Sequence, residues 1–357
     1  MKQRLYAPGP VELPPEVLAA LARPVLHHRT PEYLELQQRV GERLTDVFMV
    51  PGHEVLTLSG SGSTAMEAAF INCVPVGAEV LVINGGKFGE RWLRIAEAYR
   101  HPVVELAVEW GQVADPAELT ALLRKHPATA AVLATHSETS TGVLHDIEAL
   151  SRAAREAAPD SLFIVDAVTS LAAAELTPLA WDLDAVVSGS QKGLLTPPGL
   201  GFVWLSPRAW ASSRDLHPRF TLDLRKRQGG RQPTTPATSL MVALDVALEL
   251  LLAEGLEQVI SRRTRLNEQL LQGAEELGYR RFAERVSPAV AALTVPAGVS
   301  ARALVKHLAQ RGLVIGGGQD QLADTVIRPS LLGHADDYDV GLLLAALQEA
   351  LKALAQS

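Results

Sequence analysis

Two apolar runs in this chain end on side chains able to do covalent and proton chemistry. Leu162-Phe163-Ile164-Val165-Asp166 ends on a carboxylate, and 26 residues after Asp166 the run through Ser188-Gly189-Ser190-Gln191-Lys192 ends on an amine. In an open α/β sheet the carboxyl ends of the strands line the ligand crevice, so an acid and an amine placed there face one ligand. A third feature, Ser59-Gly60-Ser61-Gly62-Ser63-Thr64-Ala65, follows a strand-like run and opens a helix. Small residues there let backbone N–H groups and the hydroxyls of Ser61 and Ser63 approach a phosphate at the positive helix end. Each feature also has a plainer explanation: Asp166 and Lys192 as a buried ion pair, the Gly/Ser run as a turn that only caps a helix. Together they supply an anion cradle, an acid for a pyridinium nitrogen and an amine for a Schiff base, the three requirements of pyridoxal phosphate.

Other ligands fit less well. The Gly/Ser run matches Gly-x-Gly-x-x-Ala, but a dinucleotide site needs an acid at the end of the next strand, and Glu79–Asn84 carries its only acid, Glu79, at the start. No Gly-x-x-x-x-Gly-Lys-Ser/Thr occurs. With 33 Lys+Arg against 40 Asp+Glu, net charge −7, and no basic block, the chain is a poor nucleic-acid binder. Leu240–Ala253 is interrupted by Asp245 and Glu249 and falls short of the ~20 residues needed to span a membrane. The first ten residues lack the apolar run of a signal peptide. The single Cys73 forms no internal disulfide, and the ten histidines show no His-Glu-x-x-His spacing. His27 and His28, if on one strand, point to opposite faces. No metal and a cytoplasmic location are therefore expected.

These side chains need a frame, and 357 residues at 47% apolar suffice for two domains, or one large domain with a satellite. Val55–Ser59, Glu79–Asn84, Val103–Val108, Ala130–Thr135, Leu162–Asp166, Ala185–Ser188 and Phe202–Leu205 read as strands covered on both faces. Helical spacing over Thr64–Asn72, Glu90–Arg100, Pro116–Lys125 and Ile147–Ala157 separates most of them, which is a βαβ pattern and a mostly parallel sheet. Gly193–Gly201 is too short for a crossover helix, so the last strand returns antiparallel. A helical region over Leu240–Leu277 can break at Gly255. Ala289–Val295, Val314–Gly316 and Thr325–Arg328 then read as strands, and Ala301–Arg311 and Asp337–Leu354 as helices. This predicts an N-terminal segment (1–15) packing near the small domain, a large domain (16–260) and a small α+β domain (261–357).

Val165-Asp166-Ala167-Val168-Thr169-Ser170-Leu171, then Ser-Gly-Ser-Gln-Lys192 and Pro-Pro-Gly, resembles the class V aminotransferases, and most of all their alanine–glyoxylate/serine–pyruvate group. Ala7-Pro8-Gly9-Pro10, Asn84-Gly85-Gly86-Lys87-Phe88-Gly89-Glu90-Arg91, Thr135-His136-Ser137-Glu138-Thr139-Ser140-Thr141-Gly142, Thr235-Pro236 and Ile327-Arg328 agree in chain order. The resemblance implies a fold-type-I, seven-stranded, mostly parallel domain and a homodimer with shared active sites. It also implies roles. Ser61, Gly62, Ser63 and Gln191 hold the phosphate, Phe88 stacks on the ring and Val168 packs beneath it. Ser140 bonds near the ring oxygen and Asp166 pairs with the ring nitrogen. Lys192 forms the internal aldimine and moves the Cα proton. Arg328 clamps the substrate carboxylate bidentately, Gly9 lines the substrate side, and Thr235 reaches the neighbouring subunit's phosphate. Gln232 stands where the alanine–glyoxylate enzymes carry a tyrosine, which weakens that last contact.

The resemblance thus implies transfer of an amino group from alanine, serine or aspartate to glyoxylate or pyruvate. Phosphoserine transamination and a lyase on the same fold are the alternatives. His28-Arg29 could hold a substrate phosphate, and Arg29 a side-chain carboxylate. A desulfurase needs a thiol on a mobile loop, whereas Cys73 lies on the apolar face of a helix.

Overall fold

The computed structural model describes residues 3–212 and 216–354; residues 1–2 and 355–357, the outer ends of the proposed N-terminal and C-terminal ranges, lie outside them. The strands in chain order are β1 (Arg4–Tyr6), β2 (Val55–Gly60), β3 (Val80–Asn84), β4 (Val103–Ala107), β5 (Ala131–Thr135), β6 (Ser137–Glu138), β7 (Val143–Leu144), β8 (Leu162–Asp166), β9 (Ala185–Gly189), β10 (Gly199–Leu205), β11 (Arg280–Arg281), β12 (Leu293–Thr294), β13 (Leu313–Gly317) and β14 (Val326–Arg328). The helices are α1 (Pro15–Leu21), α2 (Pro31–Val47), α3 (Gly62–Cys73), α4 (Lys87–Ala98), α5 (Pro116–Lys125), α6 (Ile147–Ala157), α7 (Pro207–Ala211), α8 (Thr238–Glu254), α9 (Leu256–Glu276), α10 (Ala301–Gln310) and α11 (Asp337–Leu354).

The larger sheet has seven strands in the order β2-β10-β9-β8-β5-β3-β4. Alternate residues of each central strand enter two different cores. Leu81, Val132, Phe163, Val165, Val186 and Phe202 face one side with α1, α2, α5, α6 and α8, while Val80, Val82, Leu133, Ile164, Val187 and Val203 face the other with α3 and α4. The period-2 geometry of a strand, with apolar residues at every position, produces this three-layer arrangement. As the short connection predicted, β10 runs antiparallel to both β2 and β9.

The second sheet has five short strands in the order β1-β13-β14-β12-β11, backed by α9, α10 and α11 through Leu266, Leu270, Leu304, Leu308, Leu343 and Leu347. β1 pairs parallel with β13, so the N-terminal residues belong to the sheet that carries Arg328. Two expectations fail locally. Of the run Ala289–Val295, only Leu293–Thr294 is strand; Ala291 bonds the Pro329 carbonyl and the remainder is buried irregular chain. His27 and His28 lie in a turn, not a strand, and their ring centres are 4.8 Å apart. Gly255, at φ +91, ends α8 and starts α9, the break its position predicted.

Candidate active site

Strands β8 and β9 are parallel neighbours, so their carboxyl ends deliver Asp166 and the Gly189-Ser190-Gln191-Lys192 turn to one edge of the sheet. The start of α3 reaches the same edge. Gly201 of β10 lets it settle there, since a Cβ at that position would lie 2.7 Å from the Ser61 carbonyl oxygen. Ser61 is the N-cap of α3, accepting from Thr64 N while Thr64 Oγ1 accepts from Ser61 N. The capping role is therefore real, and it leaves the first-turn N–H groups of Gly62 and Ser63 without intrahelical acceptors. From the other side, Lys192 Nζ donates to the Pro8 carbonyl. Gly9, at φ +139, passes so close that a Cβ would lie 2.6 Å from Lys192 Nζ. A side chain there would displace the amine.

The result is a cleft of about 270 Å³ lined by Gly9, Ser61, Gly62, Ser63, Phe88, Asp166, Val168, Gln191 and Lys192, with Pro10, Met66, Arg91 and Pro198. Gly62 packs on Val168, where a Cβ would lie 2.5 Å from Val168 Cγ2. Asp166 and Lys192 are 3% and 8% exposed, so both pay for charge in a dry site. Burial pushes the Asp166 carboxyl up to about 6, against the hydrogen bond from Val168 N at 2.8 Å and the nearby Arg91. Burial, with Arg328 adding repulsion, brings the Lys192 amine down to about 8. Near neutral pH the acid is ionised and the amine is within reach of its neutral, nucleophilic form.

Arg328 sits beside this cleft, its Nε donating to the Gly317 carbonyl at 2.8 Å and Nη1 to the Thr139 carbonyl at 2.8 Å. These bonds orient the fork and leave its Nη2 edge for another acceptor. Ser140 is fully buried behind the cleft. Its hydroxyl donates to Glu138 Oε1 at 2.5 Å and accepts from Lys87 N at 3.1 Å. Arg29 and Thr235 do not join the cluster in this chain; both are exposed and absent from the cleft lining. Gln232 lines a separate hollow of about 500 Å³ with Gln37, Glu54 and Arg227. Cys73 is fully buried, and burial raises its thiol.

Three residues were given no role in the sequence analysis. Arg91 lies one turn after Phe88 on α4, its guanidinium 4.7 Å from the Phe88 ring centre and donating to Ser63 Oγ at 3.0 Å; the i,i+3 spacing was the available signal. Glu138 is a lone carboxylate in a run of buried Ser and Thr. Arg263 is a fully buried cation on the apolar stripe of α9 that donates to the Ala172 carbonyl at 2.5 Å and to the Gly193 carbonyl, next to Lys192, at 3.0 Å.

This is an α/β enzyme whose acid and amine share one cleft. Residues 13–343 match the class-V aminotransferases, and the chain belongs to that family. It is similar to an aspartate aminotransferase of subgroup IV from Thermus thermophilus, at 41% identity and TM-score 0.91 over 98% of this chain and 99% of that one. It also resembles the soluble hydrogenase small subunit of a Synechococcus strain, 38% identical over 99% of this chain and 94% of the relative. The L-aspartate–glyoxylate aminotransferase of Paracoccus denitrificans is 32% identical over 93% of this chain and 87% of that protein.

Proposed function

We propose that this aminotransferase uses pyridoxal phosphate held in the Asp166–Lys192 cleft to move the amino group of alanine, serine or aspartate to glyoxylate or pyruvate. The observation that carries the reading is the convergence of Lys192, Asp166 and the start of α3 on one cleft, with Arg328 beside it. The cleft's own chemistry fits the cofactor: Gln191 has a buried Oε1 without a protein partner, and Gly62, packed so closely on Val168 that no Cβ would fit, brings the start of α3 to the cleft wall. When bound, pyridoxal phosphate supplies an aldehyde that condenses with amines and a ring that accepts electrons from Cα.

The protein's part then follows. The α3 N-terminus, Ser61, Ser63 and Gln191 bind the phosphate. Asp166, ionised above about pH 6, keeps a proton on the ring nitrogen. Phe88 and Val168, both in the cleft lining, would pack against the ring. Arg328 orients the substrate through its carboxylate. Lys192, once neutral, takes the Cα proton and later returns it. Thr235, exposed here, serves the cleft of a second copy, and Arg29 remains a candidate for a side-chain carboxylate.

The test is amino transfer with each donor and a 2-oxo acid. Lys192→Ala should reduce kcat at least about a thousandfold, because it removes both the acid–base group and the covalent anchor. Wild-type turnover by that variant would end the assignment. A lyase would form product without any acceptor.

A further inference from the structure

We propose that Glu138 is a positioning residue for this site: its carboxylate locks the start of α4, and so Phe88, to Ser140, and with Thr139 it sets Arg328 in the same frame. The proposal rests on the reading of the cleft as a pyridoxal phosphate site.

The start of α4 has donors without acceptors, as every helix does, and its N-cap, Gly86, has no side chain with which to satisfy them. Glu138 of β6 does so from outside. Its Oε2 accepts from Phe88 N and Gly89 N, both at 3.0 Å, while Oε1 accepts from Ser140 N at 3.1 Å and Ser140 Oγ at 2.5 Å. Ser140 Oγ in turn accepts from Lys87 N. The hydrogen bonds form a closed circuit between one helix end and one hairpin. At 1% exposure it is shielded from water, and a negative charge at a helix N-terminus is favourably placed.

The glycines of this stretch fit the same account. A Cβ on Gly86 would lie 2.4 Å from Ser140 Oγ and 2.6 Å from Glu138 Cδ. Gly86 has extended backbone, so it is glycine for space and not for conformation. A Ser or Asp at position 86 would be the ordinary cap. Taking the acceptor from residue 138 instead couples the helix to Thr139, whose carbonyl holds Arg328 Nη1 at 2.8 Å. The aromatic ring on one wall and the carboxylate-binding fork on another are thereby referred to a single buried anion.

The experiment is Glu138→Gln in the cofactor-loaded protein. An amide has one acceptor oxygen and presents N–H groups on its other arm, so it can serve one donor set only. Three quantities are read: thermal midpoint, visible circular dichroism per bound cofactor, and KM for the amino acid. The expected result is at least a twofold change in dichroism per bound cofactor and at least a tenfold rise in KM. Gly86→Ala, which keeps the charge and disturbs the socket, should change both in the same direction. If Glu138→Gln lowers only the midpoint, with the other two readouts within twofold of wild type, Glu138 is a structural cap and the proposal is overturned. If that variant does not fold, Gly86→Ala decides by the same readouts. A wild-type protein with no visible band after incubation with pyridoxal phosphate overturns the cofactor reading, and this proposal with it.

Discussion

At the scale of single residues the site is governed by desolvation. Lys192 is brought down to about 8, so its reaction with an aldehyde should quicken as pH rises through about 8 and then level off. Stopped-flow loading with pyridoxal phosphate checks this; a rate still climbing at pH 10 would contradict it. Asp166 is the mirror case. Its folded value, about 6, lies above the ordinary value of about 3.9, so burial penalises the charged form. Its contribution to stability is fully present below about pH 4 and lost as pH rises through 6. Asp166→Asn should therefore stabilise the cofactor-free protein at pH 8 by about 3 kcal/mol, a gain that vanishes near pH 4, while abolishing most turnover. Urea titrations at the two pH values measure it, and a loss of stability at pH 8 would count against the account.

At the scale of elements, the chain positions its chemistry by ending strands. Asp166 and Lys192 were legible because strands buried on both faces are unbroken apolar runs, and a polar residue at the tip of such a run stands out. The antiparallel β10 was legible because Gly193–Gly201 has no room for a helix. β1 was not: three residues become a strand only because β13 is there to pair with, some three hundred residues away. The run at Ala289–Val295 misled because apolar composition reports burial, which irregular chain shares with strands. Ser140, expected near the ring, donates its hydroxyl to Glu138, whose part no local pattern revealed. Arg263 extends the argument to α9. Arg263→Ala would leave the carbonyls of Ala172 and Gly193 unpaired, costing roughly 2–4 kcal/mol. A shift in urea midpoint equivalent to less than about 0.5 kcal/mol would show that the clamp is dispensable.

At the scale of the whole molecule, the two sheets meet at the cleft. The smaller one contributes Arg328 and, through β1, the Pro8-Gly9-Pro10 segment beside Lys192. Lys87 at the start of α4 also pairs with Asp320 at 2.7 Å, in the loop between β13 and β14. Removing residues 2–7 should thus weaken amino-acid binding tenfold or more while the larger sheet stays folded, which KM and far-ultraviolet circular dichroism would report together. An unchanged KM would mean that the N-terminal strand is ornamental. Among the described residues no helix is long and apolar enough to cross a bilayer.

The most direct measurement is the visible absorption spectrum of the protein loaded with pyridoxal phosphate, taken before and after adding L-aspartate, L-alanine or L-serine without any acceptor. The account predicts a visible band that requires Lys192, bleaches on adding at least one of these donors and returns on adding glyoxylate or pyruvate. A protein that never acquires the band would remove the cofactor assignment, leaving Lys192 held by the Pro8 carbonyl and Asp166 by Val168 N as two separate buried polar groups.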